Sequence, residues 1–153
     1  MNRDMIQKYN SVIEPNDTVL WVGDCFFKNM NEAKQIMDEL NGHKLLVRGN
    51  HDRGTGSMAA LGFDLVMDEC FMKIAGRTCR VKHYPYLDAE PEECHKDDRY
   101  KDRRPPKVPG EVLIHGHNHA KYKRYNNMIH VGVDAHNFSP CLYSEVEKLV
   151  SEV

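Results

Sequence analysis

Apolar residues recur along this chain at two different periods. Ile6, Tyr9, Val12 and Ile13 fall at helical spacing, which predicts an amphipathic helix over residues 3–13. Glu14-Pro15-Asn16-Asp17 ends it with a turn. Thr18-Val19-Leu20-Trp21-Val22 is β-branched, aromatic and continuously apolar after its first residue, which predicts a strand running into Gly23-Asp24. Ala33, Ile36, Met37 and Leu40 share one face of a second helix, with Asn31 placed to cap it and Gly42 where a helix C-terminus favours glycine. Lys44–Arg48 reads as the next strand, and it ends in Gly49-Asn50-His51-Asp52. The order helix, strand, helix, strand is that of an α/β layered domain.

Beyond Gly54-Thr55-Gly56-Ser57 and a short helix around Met58–Leu61, the pattern turns to β. Glu69–Ile74 and Thr78–Lys82 predict a hairpin around Ala75-Gly76, ending at His83-Tyr84-Pro85. Glu111–Ile114 predicts a strand that ends at His115-Gly116-His117-Asn118-His119. Lys121–Tyr125 and Met128–Val133 predict a second hairpin, over Asn126-Asn127. Ser144 is placed to cap a last helix with Val146, Leu149 and Val150 inward. Between the two β regions, residues 88–107 carry seven acidic and six basic side chains without periodicity. That is too long for a routine connection, so it predicts a lid, a binding loop or a solvated excursion. No repeat or internal boundary interrupts the pattern, so residues 1–153 are read as one domain.

Composition narrows the classes. Hydrophobic residues are 41% and charged residues 29% of 153, an ordinary globular balance. A net charge of −2 excludes a protein that coats a duplex through basic surplus, leaving nucleic acid only as a substrate. No apolar run approaches the roughly 18 residues of a membrane span, and residues 1–5 lack the apolar core of a signal peptide. Five cysteines, none in a Cys-x-x-Cys, suit a reducing, cytoplasmic compartment.

The candidate chemistry sits at four strand ends: Gly23-Asp24, Gly49-Asn50-His51-Asp52, His83 and Gly116-His117-Asn118-His119. In open α/β sheets, ligands bind beyond the carboxyl ends of the strands. If these ends are neighbours, a carboxylate, an amide oxygen and several imidazoles meet in one cleft. Such a mixed nitrogen/oxygen set suits manganese, iron, zinc or nickel rather than calcium. A single histidine of this kind is more often structural, but four matching strand ends in one short chain favour a metal centre. His51 offers a titratable nitrogen, and Asp52 could orient its imidazole.

In order and approximate spacing, these motifs resemble the calcineurin-like metallophosphoesterases over about residues 18–138. The likeness is greatest to the small bacterial and phage phosphoesterases, in which Gly-Val-Asp likewise follows the last histidine motif, as at Gly132–Asp134. The resemblance implies a two-sheet β-sandwich flanked by helices, with up to two divalent ions per chain, manganese first and zinc, iron(II) or nickel as alternatives. It implies that Asp24 bridges the ions, that Asn50, His83 and His117 complete one site, and that His119 belongs to the other. His51 would stand near the scissile phosphate, supported by Asp52. The implied activity is hydrolysis of a phosphodiester or phosphomonoester by a metal-activated water. The alternative is a catalytically impaired metal-binding relative that serves as a protein-interaction scaffold.

The pattern departs from the family at one point: no Asp-x-His precedes Gly23-Asp24. The expectation is therefore a fold without its first strand, a weaker second ion, reduced activity and a tendency to form a homo-oligomer through the open sheet edge. Asp134-Ala135-His136 spells Asp-x-His after the last motif and is read as structural.

Overall fold

The computed structural model describes residues 2–25, 29–87 and 98–153. A three-stranded parallel sheet carries the first two motif loops. Its strands, β1 (Thr18–Trp21), β2 (His43–Val47) and β3 (Leu65–Met67), pair in that order, with Leu20 opposite Leu45 and Val47 opposite Met67. The sequence pattern contains no sign of β3, because three residues are too few for a period to register.

Successive residues of a strand face opposite ways, and β2 uses both faces. Leu46 packs with Tyr9, Ile13, Ala33, Met37, Met58 and Leu61, which come from α1 (Asn2–Asn10), α2 (Met30–Glu39), α3 (Thr55–Leu61) and the turn after α1. Val47 packs the other way, against Ile74, Cys79, Val81, Ile114 and Ile129 of a second sheet. Both side chains are fully buried, and burying each stabilises by about 1.5–3 kcal/mol.

The second sheet contains β4 (Cys70–Ile74), β5 (Arg77–Val81), β6 (Val112–His115), β7 (Arg124–Tyr125) and β8 (Met128–His130), in the order β4-β5-β6-β8-β7. Its middle is parallel and each edge is an antiparallel hairpin. Ala75 and Gly76 both have positive φ, 49° and 75°, as a two-residue primed turn requires. β6 is buried at all four positions, the pattern of a parallel strand covered on both faces. Val112 and Ile114 face the first sheet, and Leu113 faces Tyr86 and Met128 on the other side. The last helix, α4 (Tyr143–Ser151), adds Val146 and Val150 to the inter-sheet core. The α/β expectation of two sheets flanked by helices holds.

Several boundaries differ from the sequence reading. The helix at the start ends at Asn10 rather than residue 13, although Ile13 N–H still reaches the Tyr9 carbonyl at 3.0 Å. Asn29, not Asn31, caps α2; its side-chain oxygen accepts the Asn31 N–H at 2.9 Å. Ser144 lies inside α4, whose N-cap position is Leu142 with no side-chain hydrogen bond. Of the segment 88–107, residues 88–97 lie outside the described residues, and Asp98–Arg103 form a 3-10 helix. Among the described residues no helix is long and apolar enough to cross a membrane.

Two neutral histidines pair across this core. His115 of β6 lies opposite His130 of β8, with ring centroids 5.2 Å apart. Burial, then the neighbouring His130, pushes His115 down to about 3. Burial also pushes His130 down to about 4. Both folded values lie below the unfolded value of about 6.5, so their contribution is complete above that pH and is lost as the solution is acidified through it. Unfolding stability is expected to fall by on the order of 2 kcal/mol per histidine between about pH 7 and pH 5. Urea denaturation at the two pH values reads this directly. Equal midpoints would show that the native state charges both rings freely.

Candidate metal centre

Gly23-Asp24, at the end of β1, and Gly49-Asn50, at the end of β2, approach so closely that neither glycine tolerates a side chain. A Cβ at Gly49 would overlap Asp24 Oδ1, and one at Gly23 would overlap the His83 ring. Gly23 also needs its φ of +85°. Gly49 does not have positive φ, so its reason is close approach rather than conformational freedom. Asp24 and His117 are held at φ of 57° and 71°. Such values are uncommon outside glycine and tend to cluster at functional sites.

His83 is the centre of the cluster. Its Nδ1 lies 2.8 Å from the Val22 carbonyl, which can only accept, so Nδ1 carries the hydrogen and Nε2 presents a lone pair. That Nε2 lies 3.2 Å from each of Asp24 Oδ2, Asn50 Oδ1 and His117 Nδ1. His83 is almost completely buried, 1% exposed. A carboxylate oxygen, an amide oxygen and imidazole nitrogens thus converge on one point. Facing lone pairs repel unless a cation lies among them, so the donor set fits a divalent ion of the nitrogen/oxygen-binding class. The Asp24, His83 and His117 ligand atoms all lie within 4.8 Å of one another. Burial raises the Asp24 carboxyl, but positive charge placed at His83 Nε2, a proton or an ion in its place, and the N–H and charge of His51 outweigh it. The net shift is downward, which keeps Asp24 ionised at neutral pH.

A sequence profile of the calcineurin-like phosphoesterase superfamily domain matches residues 1–133. The chain belongs to the calcineurin-like phosphoesterase superfamily. A crystal structure of a protein of unknown function from Aquifex aeolicus is similar with a TM-score of 0.71 at 25% identity, over 97% of this chain and 84% of that one. An uncharacterized protein of Methanocaldococcus jannaschii is 36% identical over 55 residues, which are 35% of this chain. The match spans 31% of that relative's length.

Within this phosphoesterase domain, the remaining expected residues divide. His51 is exposed, and its backbone N–H binds Asp24 Oδ1 at 2.9 Å, which places it at the rim of the cluster. Asp52 accepts three backbone N–H groups. Its Oδ2 accepts the N–H groups of Asp24 and Gly49, each at 2.8 Å, and its Oδ1 accepts that of Cys25 at 2.9 Å. It therefore ties the first metal loop to the second. His119 stands outside the converging group: its side chain is 79% exposed and its Nδ1 lies 2.9 Å from Asp134 Oδ2.

Two residues the sequence did not single out line the centre. Tyr84 packs its ring 5.0 Å from His83 and 5.1 Å from His117. Tyr100, from the 3-10 helix at Asp98–Arg103, lies 5.9 Å from His117 and 5.8 Å from Tyr84. Arg103 reaches the Tyr84 hydroxyl at 3.5 Å. The described part of segment 88–107 thus forms one wall beside the cluster. Nothing local in a stretch without periodicity could have announced this long-range contact.

Proposed function

We propose that this chain hydrolyses a phosphate ester, a phosphodiester or phosphomonoester, at the centre built by Asp24, Asn50, His83 and His117. The observation that carries the reading is His83 Nε2, placed 3.2 Å from each of three further lone-pair donors. Divalent ions held there, manganese first, would polarise the ester and acidify a water. The chain's own residues do the rest. Asp24 supplies a negative charge that stays ionised at neutral pH. Val22 fixes the His83 tautomer through its carbonyl, which aims the second nitrogen inward and strengthens it as a ligand. His51, exposed at the rim, is positioned to donate a proton to the leaving oxygen. Tyr84 and Tyr100 bound the cleft on the His117 side and offer an aromatic wall to the ester's organic group. Superfamily membership and the metal-ligating cluster support this reading.

The test compares wild type with His51→Ala on bis-p-nitrophenyl phosphate and p-nitrophenyl phosphate with added manganese. Turnover is expected to fall by about 10²–10⁴, with metal content unchanged. Loss of metal in that variant would make His51 a ligand instead. No wild-type turnover with manganese, nickel or zinc would replace the hydrolase reading with that of an interaction scaffold.

A second prediction concerns the wall. Tyr100→Ala is expected to change the preference between the two substrates while leaving metal content intact, because Tyr100 packs its ring against His117 beside the ligand cluster. Identical ratios of kcat/KM in wild type and variant would remove Tyr100 from substrate selection.

A further inference from the structure

A second set of metal-ligating side chains shares no residue with the Asp24 centre. His136 follows the short 3-10 turn at Val133–Ala135, and Cys141 and Glu145 flank the N-cap of α4. Their ligand atoms lie within 4.8 Å of one another. The His136 side chain is 3% exposed. Its Nε2 lies 3.0 Å from the His130 carbonyl, which can only accept, so Nε2 carries the hydrogen. Nδ1 is then left with a lone pair, buried and without a hydrogen-bond partner. The closest carboxylate oxygen, Glu145 Oε1, is 3.6 Å away, too far for a hydrogen bond. Glu145 Oε2 meets Cys141 Sγ at 3.5 Å. A buried imidazole nitrogen, a carboxylate and a thiol therefore face one another with nothing between the first two.

We propose that His136, Cys141 and Glu145 form a second divalent-metal site, of the zinc class. One soft sulfur, one imidazole and one carboxylate select zinc over magnesium or calcium. A backbone carbonyl holding the far N–H of a ligating histidine is the usual support of such a site, and His130 supplies it here. Three protein ligands leave a fourth position. A cavity of about 330 Å³ lined by His136, Glu145, Lys123, Val12 and Ser139 gives access to it. Binding forms a zinc–sulfur bond and releases the thiol proton to solvent, so thiolate and carboxylate together neutralise the ion. Lys123, whose ammonium binds Glu145 Oε1, adds one positive charge at the cavity wall. An ion in this position ties α4 to the loop that carries Asp134, the partner of His119.

The test is a cobalt(II) titration of the whole chain, read by the thiolate-to-cobalt charge-transfer absorption that the nitrogen/oxygen centre at Asp24 does not produce. The absorption is expected to saturate at an amplitude of one thiolate-bound cobalt per chain, to disappear on adding zinc, to persist in Cys25→Ser and to vanish in Cys141→Ser. Glu145→Gln should weaken cobalt binding by at least about tenfold. Absence of the band, or a band that survives Cys141→Ser, overturns the site. If Cys141→Ser does not fold, Glu145→Gln decides, because its side chain is 37% exposed: an unchanged affinity there removes Glu145 from the ligand set and overturns the site. None of these readouts depends on hydrolysis, so the site stands or falls apart from the phosphoesterase reading.

Discussion

Gly49→Ala is expected to remove both the metal at the Asp24 centre and hydrolysis in one step. The backbone at Gly49 is not in the left-handed region, so alanine is conformationally acceptable there. The obstacle is Asp24. The new methyl group would overlap Asp24 Oδ1 and stand 2.7 Å from its backbone nitrogen and 2.9 Å from its Cγ. None of these atoms is free to retreat. Asp24 Oδ1 holds the His51 N–H at 2.9 Å and the Asp24 N–H is held by Asp52 at 2.8 Å. Relief therefore displaces the carboxylate that faces His83. A displacement of about 1 Å in a catalytic constellation costs about 10²-fold in rate, and a lost anionic ligand lowers affinity further. Overpacking of this kind costs about 1–3 kcal/mol, so the variant should remain folded. Metal analysis and turnover, with circular dichroism as the check on folding, give the result. Gly56→Ala is the control: a Cβ there meets nothing within 4 Å and lies in α3, where alanine is favoured over glycine by about 1 kcal/mol. Full metal loading and activity in Gly49→Ala would show that the two loops are slack, contrary to their mutual contact.

That contact also shows what the sequence made legible. Gly23-Asp24 and Gly49-Asn50 could be read because each ends an apolar run, and a glycine before a ligating residue at a strand end is a local pattern. Their convergence with His83 and His117 was legible only on the condition that the strand ends are neighbours, because β1 and β2 lie in one sheet and β5 and β6 in the other. The parts that were missed are those decided by tertiary contact. Asn29 rather than Asn31 caps α2, a two-residue shift that boundary signals do not resolve. β3 is formed because Leu65–Met67 pair with β2, not because of an intrinsic pattern. Tyr100 reaches His117 from a segment of mixed charge. The spacing of His136, Cys141 and Glu145 matches no familiar ligand motif, and only the fold of the loop onto α4 brings them together.

Asp52→Ala is expected to cost both stability and metal, unlike His51→Ala. The Asp52 carboxylate accepts three backbone N–H groups, from Asp24, Cys25 and Gly49, at 2.8–2.9 Å. All three belong to the loops that carry the metal ligands, and hydrogen bonds to a charged acceptor are worth about 1.5–3 kcal/mol each in favourable cases. The site is half-buried, so water can replace part of what is lost, and a total near 3 kcal/mol is the expected scale. For a chain of this size that lowers the melting temperature by roughly 6–12 °C. Asp24, freed at its N–H, no longer has its positive φ enforced from the Asp52 side, so its carboxylate loses its aim at His83. Asp52→Asn keeps one acceptor oxygen of similar shape and should fall between wild type and alanine on both measures. Melting curves at neutral pH and metal analysis of the three proteins separate the two roles that could be assigned to this residue. If Asp52 clamps the loops, stability and metal content fall together. If it acts through the His51 imidazole, as the sequence alone suggests, kcat falls while melting temperature and metal content stay where they were.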